Sequence, residues 1–86
     1  MIQKEVTVNI LDGKEERPIA VMVQLAGEFQ SRIYFESDNR KVNAKSIMGM
    51  MTLGLYPGEP INITIEGDDE EEAMEKIEKY LTTGAQ

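Results

Sequence analysis

Two short stretches hold the side chains with which this chain could do chemistry. In DGKEERPI, residues 12–19, the adjacent carboxylates Glu15 and Glu16 stand beside the fixed positive charge of Arg17. Such a pair can exchange protons when burial shifts its pKa, or it can present a permanent negative charge when it stays solvated. In KVNAKSIMGMMTLG, residues 41–54, Ser46 precedes Ile47, Met48, Met50, Met51 and Leu53. A serine placed there can cap a helix through its hydroxyl, accept a phosphoryl group, or do each in turn. A third stretch, DDEEE at 68–72, crowds acids at the positive end of a helix dipole and reads as a solvated helix start rather than a partner site.

What the chain lacks narrows the chemistry further. It has no cysteine and no histidine, so a disulfide framework, a thiolate metal site and the commonest zinc ligand are all absent from its repertoire. No metal or cofactor is expected. General acid-base work near neutral pH would fall to a carboxylate or lysine with a strongly shifted pKa. A chain of 86 residues scarcely encloses a pocket deep enough for that shift, so the expectation is a protein that is not an enzyme. The net charge of −7 opposes binding to phosphate backbones, which runs on clustered Lys and Arg, and points to protein partners with basic surfaces rather than nucleic acid. No apolar run approaches the roughly 18 residues of a membrane span, and MIQKEVTVNI has no apolar leader block, so a cytoplasmic location is expected.

The positioning elements follow from hydrophobic period. Ile2, Val6, Val8 and Ile10 share one face of a half-buried strand, which Asp12-Gly13 interrupts. Pro18 suits the first turn of a helix whose stripe is Ile19, Met22, Val23, Ala26 and Phe29. Residues 31–36 and 41–43 flank the polar tract SDNR as a hairpin, with Ile33, Phe35 and Val42 inward. Ser46 is expected to be the N-cap of a second helix that ends at Gly54. Residues 60–66 alternate again, and Asp68-Asp69 opens a last helix with the stripe Ala73, Met74, Ile77, Tyr80 and Leu81. The order β-α-β-β-α-β-α predicts a single α+β domain over 1–86, with helices covering one face of an antiparallel or mixed sheet and the other face wet.

These residues resemble, over nearly the whole chain, the HPr phosphocarriers of the bacterial phosphoenolpyruvate-dependent sugar phosphotransferase system. The segment at 41–54 is similar to that family's regulatory-serine region, and DGKEERPI is similar to its active-site loop, usually Gly, any residue, His, Ala, Arg, Pro. Gly13, Arg17 and Pro18 match, and Glu15 stands in the histidine's place. The resemblance implies an open-faced β-sandwich of two layers, a four-stranded antiparallel sheet covered on one face by three helices. It also implies loss of the phosphorelay, because an ionised carboxylate is only an acceptor and a weak nucleophile, and its acyl phosphate would face water. In this the chain resembles the histidine-less catabolite-repression branch, Crh, whose familiar members carry glutamine at that position.

The same resemblance assigns roles. Ser46 would be phosphorylated by the ATP-dependent HPr kinase/phosphorylase. Arg17, Ile47, Met48 and Met51 would form the partner-binding surface, while Met50 and Leu53 belong to the core. The expected partner is a LacI-type catabolite control regulator, for which the serine-phosphorylated chain acts as corepressor. The competing expectation is an interaction module that binds a metabolic enzyme and modulates it, with Ser46 as the control point. Glu15 is either a neutral surface replacement or, with Glu16, a fixed anion imitating the phosphorylated histidine beside Arg17. The remaining alternatives are a residual component of the sugar system in which Glu15 is a phosphomimic, and an acyl-phosphate relay through Glu15.

Overall fold

The computed structural model describes residues 1–9 and 18–84. Its elements are β1 (Ile2–Thr7), α1 (Pro18–Ala26), β2 (Arg32–Ser37), β3 (Arg40–Asn43), α2 (Ile47–Leu53), β4 (Pro60–Glu66) and α3 (Glu70–Thr83). The four strands form one sheet in the order β1-β4-β2-β3, with every neighbouring pair antiparallel. This settles the choice between an antiparallel and a mixed sheet.

Strand period sets the two faces. On β4, Ile61, Ile63 and Ile65 are fully buried, and register places them opposite Val6, Lys4 and Ile2 of β1. Ile33 and Phe35 of β2 complete that inner face against Ile65 and Ile63. The helices lie against it: Met22, Leu25 and Ala26 from α1, Met50 and Leu53 from α2, and Ala73, Met74, Ile77, Tyr80 and Leu81 from α3 are all buried in one core. Lys4 falls on the inner side at the sheet's edge, where its Nζ reaches Glu78 Oε1 of α3 at 2.8 Å. The outer face carries residues such as Gln3, Glu5, Tyr34, Lys41, Asn62 and Thr64, with the Lys41 ammonium 5.2 Å from the centre of the Tyr34 ring.

Two expectations need correction. The first helix ends at Ala26, so Phe29 lies beyond it rather than on its stripe. The amides of Glu28 and Phe29 donate to the carbonyls three residues back, Leu25 and Ala26, which tightens the chain out of the α-helix and still delivers Phe29 to the core. Leu25, outside the expected stripe, is buried, whereas Ile19 and Val23 are only partly covered. Of the acids at 68–72, Asp68, Glu71 and Glu72 are exposed as a solvated helix start requires, whereas Asp69 and Glu70 are engaged. Asp69 holds the N-cap position of α3 without capping it, because its carboxylate turns outward to Gln30 and Ser31. Ile10, expected on the first strand's buried face, lies outside the described residues, as do Asp12 and Gly13.

The hairpin expectation holds with specific chemistry. Asp38 and Asn39 take φ of +52° and +66°, the double positive φ of a type I′ turn, and short Asp and Asn side chains tolerate that conformation best among non-glycine residues.

Candidate functional site

The short helix α2 is held at both ends, and its free surface lies between the ties. At its start the chain leaves β3 through a turn in which the Ser46 amide donates to the Asn43 carbonyl at 2.9 Å and the Lys45 amide to Asn43 Oδ1 at 2.8 Å. Ser46 then takes the extended conformation of an N-cap, with φ −101° and ψ 116°. Its Oγ accepts from the Gly49 amide at 3.1 Å, and its carbonyl accepts from Met50. Lys45 reaches back across the fold, its Nζ donating to the Phe29 carbonyl at 2.7 Å, which ties this turn to the segment after α1. At the other end Arg40 Nη1 donates to the Thr52 carbonyl at 2.8 Å, a cation at the negative end of the helix. Gly54 closes the helix with its amide on the Met50 carbonyl.

Gly49 makes this geometry possible. A Cβ there would lie 3.3 Å from Val42 Cβ and 3.4 Å from Ser46 Oγ. With no side chain at that point α2 sits close on β3, and Ser46 itself is half-buried.

The seven residues of α2 divide sharply. Met50 is 0% exposed and Leu53 is buried, whereas Ile47, Met48 and Met51 are exposed to 45%, 76% and 65%. Ile47 and Met51 are one turn apart and Met48 and Met51 three residues apart, so the three form a single apolar strip beginning next to Ser46. Apolar side chains this exposed have not found a place in the core, and thioethers adapt their shape to whatever covers them. The structure therefore brings together four of the residues singled out in the sequence: Ser46, Ile47, Met48 and Met51. Arg17, Glu15 and Glu16 lie outside the described residues. Gly49 and Lys45 were not singled out beforehand. The glycine three residues after the N-cap was a readable sign of close packing, but the lysine's contact with Phe29 depends on how distant segments meet.

A second serine offers a contrast. Ser31, at the start of β2, is 1% exposed, and its hydroxyl donates to Asp69 Oδ1 at 2.5 Å. The Ser31 and Gln30 amides donate to the same carboxylate at 3.0 and 2.8 Å. The hydroxyl bond from Ser31, with the backbone donors behind it, holds the Asp69 carboxyl below its ordinary value. Glu70 is held low by the Gly67 amide and by the N-terminal ammonium, 3.0 and 3.1 Å away.

Comparison with known proteins decides the family. The model for the PTS HPr component phosphorylation site matches residues 2–83. This chain belongs to the HPr family. The HPr-like protein Crh of Halalkalibacterium halodurans is 46% identical over 81 residues, covering 94% of this chain and 96% of its own. Crh of Bacillus subtilis is 43% identical over 94% of this chain and 95% of its own. The crystal structure of that Crh, a dimer with a swapped domain, superposes with a TM-score of 0.70 over 94% of this chain and 93% of its own. The phosphocarrier HPr of Bacillus anthracis gives a TM-score of 0.85 at 46% identity, over 93% of this chain and 95% of its own. The chain is thus an HPr-like regulatory or phosphocarrier protein in its sequence relations, with the four-stranded open-faced fold of that family. Among the described residues no helix is long and apolar enough to cross a membrane.

Proposed function

We propose that this chain is a cytoplasmic HPr-like regulator of carbon catabolite control that does not relay phosphate and is switched at Ser46. The observation that carries this reading is the seat of Ser46: a half-buried N-cap hydroxyl with one backbone donor, directly followed by the exposed strip of Ile47, Met48 and Met51. The absence of any histidine supports the first half, because the family's phosphorelay needs an imidazole nucleophile. The Crh relatives support the second.

In this reading HPr kinase transfers the γ-phosphoryl of ATP to Ser46 Oγ. The product carries nearly two further negative charges and three strong acceptor oxygens at the start of α2. The helix stays folded, since its first amides already point toward the cap. What changes is the surface. A phosphoserine ready for basic side chains now stands beside an apolar strip ready for a hydrophobic one, and Arg17 adds a cation to the same recognition. A LacI-type catabolite control regulator is the partner with which such a doubly marked face acts as corepressor. Modulation of a metabolic enzyme is the second reading, favoured by the strip's being exposed already without phosphate.

Capture on immobilised protein, with and without kinase and ATP, separates the two. The corepressor reading expects the regulator to be retained only after phosphorylation. Retention of a metabolic enzyme that changes with the treatment, with no regulator in either state, would replace it with the second reading.

A further inference from the structure

The methionines of this chain fall into two classes with nothing between them. Met22 and Met50 are 0% exposed and Met74 is 5% exposed, whereas Met48 and Met51 are exposed to 76% and 65%. Met1 is the other exposed thioether, at 74%. The chain has no cysteine, so no thiolate competes for an oxidant, and thioether sulfur is the most readily oxidised group available. Met48 and Met51 lie three residues apart on one side of α2, adjoining Ser46, while Met50 of the same helix faces the core. Hydrogen peroxide reaching this surface therefore meets two of the helix's three sulfurs and not that of Met50.

We infer that Met48 and Met51 are a paired oxidation site, and that their conversion to methionine sulfoxide turns the apolar strip beside Ser46 polar. This rests on the strip's serving as the docking surface. In the reaction the thioether sulfur attacks one peroxide oxygen and the O–O bond breaks. The sulfur gives up two electrons and gains that oxygen, and the other oxygen leaves as water after a proton shift. Each sulfoxide brings a strong dipole and a hydrogen-bond acceptor to a place where an apolar partner would have to strip its water. The face then carries two independent marks: phosphate on Ser46 adds charge recognition, and oxygen on sulfur removes apolar recognition. Because sulfoxide reductases restore the thioether, the second mark is reversible.

The site is tested on the full chain with hydrogen peroxide. Peptide mass mapping over time should find one added oxygen on each of Met48 and Met51 at least about tenfold faster than on Met22, Met50 or Met74. Comparable rates at Met50 would overturn the assignment. Retention on a hydrophobic-interaction resin, which needs no partner, should fall on oxidation and recover with methionine sulfoxide reductase. In the Met48→Leu, Met51→Leu double variant, which keeps Met1, peroxide should leave retention unchanged. Unchanged retention of the parent once both sulfurs are oxidised would also overturn the inference. A third arm compares Ser46-phosphorylated protein, oxidised and unoxidised, for binding to the catabolite regulator. Loss of binding on oxidation, restored by the reductase, is expected, and full binding by the doubly oxidised protein would refute the consequence for docking. If the unoxidised phosphoprotein fails to bind, the corepressor reading falls while the first two arms still decide the oxidation site.

Discussion

Ser31 and Ser46 sit in opposite surroundings, one sealed where two distant segments meet and the other capping a short helix beside an exposed apolar strip. The hydroxyl of Ser31 donates, into a carboxylate that also takes two backbone amides, and it is sealed at 1% exposure. The hydroxyl of Ser46 accepts, from one amide, on a residue that is only partly buried. At Ser31 the surrounding chain has closed in so far that a Cβ on Gly67 would come within 2.6 Å of the Ser31 Cα. At Ser46 the packing is looser, and a Cβ on Gly49 would come no nearer than 3.4 Å to the Ser46 Oγ. A kinase can use a serine only where its hydroxyl can be spared and reached, and Ser31, sealed and bonded to Asp69, meets neither condition.

The contrast can be broken or sharpened by substitution. The largest effect is expected on α2 itself, where Met50→Ala removes a fully buried side chain and should cost about 2 to 5 kcal/mol of stability, measured by urea unfolding. Gly67→Ala comes next. Its methyl group has no room against the Ser31 backbone, so a loss of about 1 to 3 kcal/mol is expected, and no loss would mean that the junction is looser than described. Ser46→Ala should cost about 1 kcal/mol by removing the cap, whereas Ser46→Asp should keep most of that stability because Asp caps as well as Ser. Both variants should be refractory to the kinase. A clear separation of the two in thermal unfolding would show that an acceptor oxygen at the cap, rather than the hydroxyl as such, carries the stability.

Acid provides a gentler test of the sealed side. Asp69 and Glu70 have ordinary pKa values of 3.8 and 4.5, and both are lowered in the folded protein, first by the Ser31 hydroxyl and the Gly67 amide respectively. A carboxylate with a depressed folded pKa binds protons more readily when unfolded. Its contribution is therefore complete above the ordinary value and is lost as pH falls through the folded one. Urea midpoints should decline below about pH 4.5, and Asp69→Asn should flatten that decline. The smallest effect belongs to Met48→Ala, expected within about 0.5 kcal/mol of the parent despite the size of the side chain removed. A loss comparable with that of Met50→Ala would mean that the strip belongs to the core after all.

The elements were legible in the sequence because their signals are local. Alternation marks β4, the Asp-Asn pair marks the hairpin, and a serine ahead of an apolar run closed by glycine marks α2 with its cap. Excess also proved readable, since one short helix could not bury all of Ile47, Met48, Met50 and Met51. What escaped were features made by contact between distant segments. Asp69 stands 38 residues from Ser31, and nothing near Asp69 in sequence distinguishes a carboxylate that caps its own helix from one that pins another strand. The end of α1 was missed for a related reason: Phe29 continues the helical period, yet the chain tightens after Ala26 and brings it inward by another route. The resemblance to HPr rested on two motifs, of which the one around Ser46 lies on described structure. The loop carrying Glu15 and Arg17 lies outside it.

The measurement that bears most directly on this account is site-resolved mass spectrometry of the folded chain after incubation with HPr kinase and ATP. The chain has three serines, at 31, 37 and 46. The account predicts one phosphoryl group, on Ser46, with none on Ser31 or Ser37. An unmodified chain, or phosphate found on Ser31 or Ser37 and not on Ser46, would contradict it.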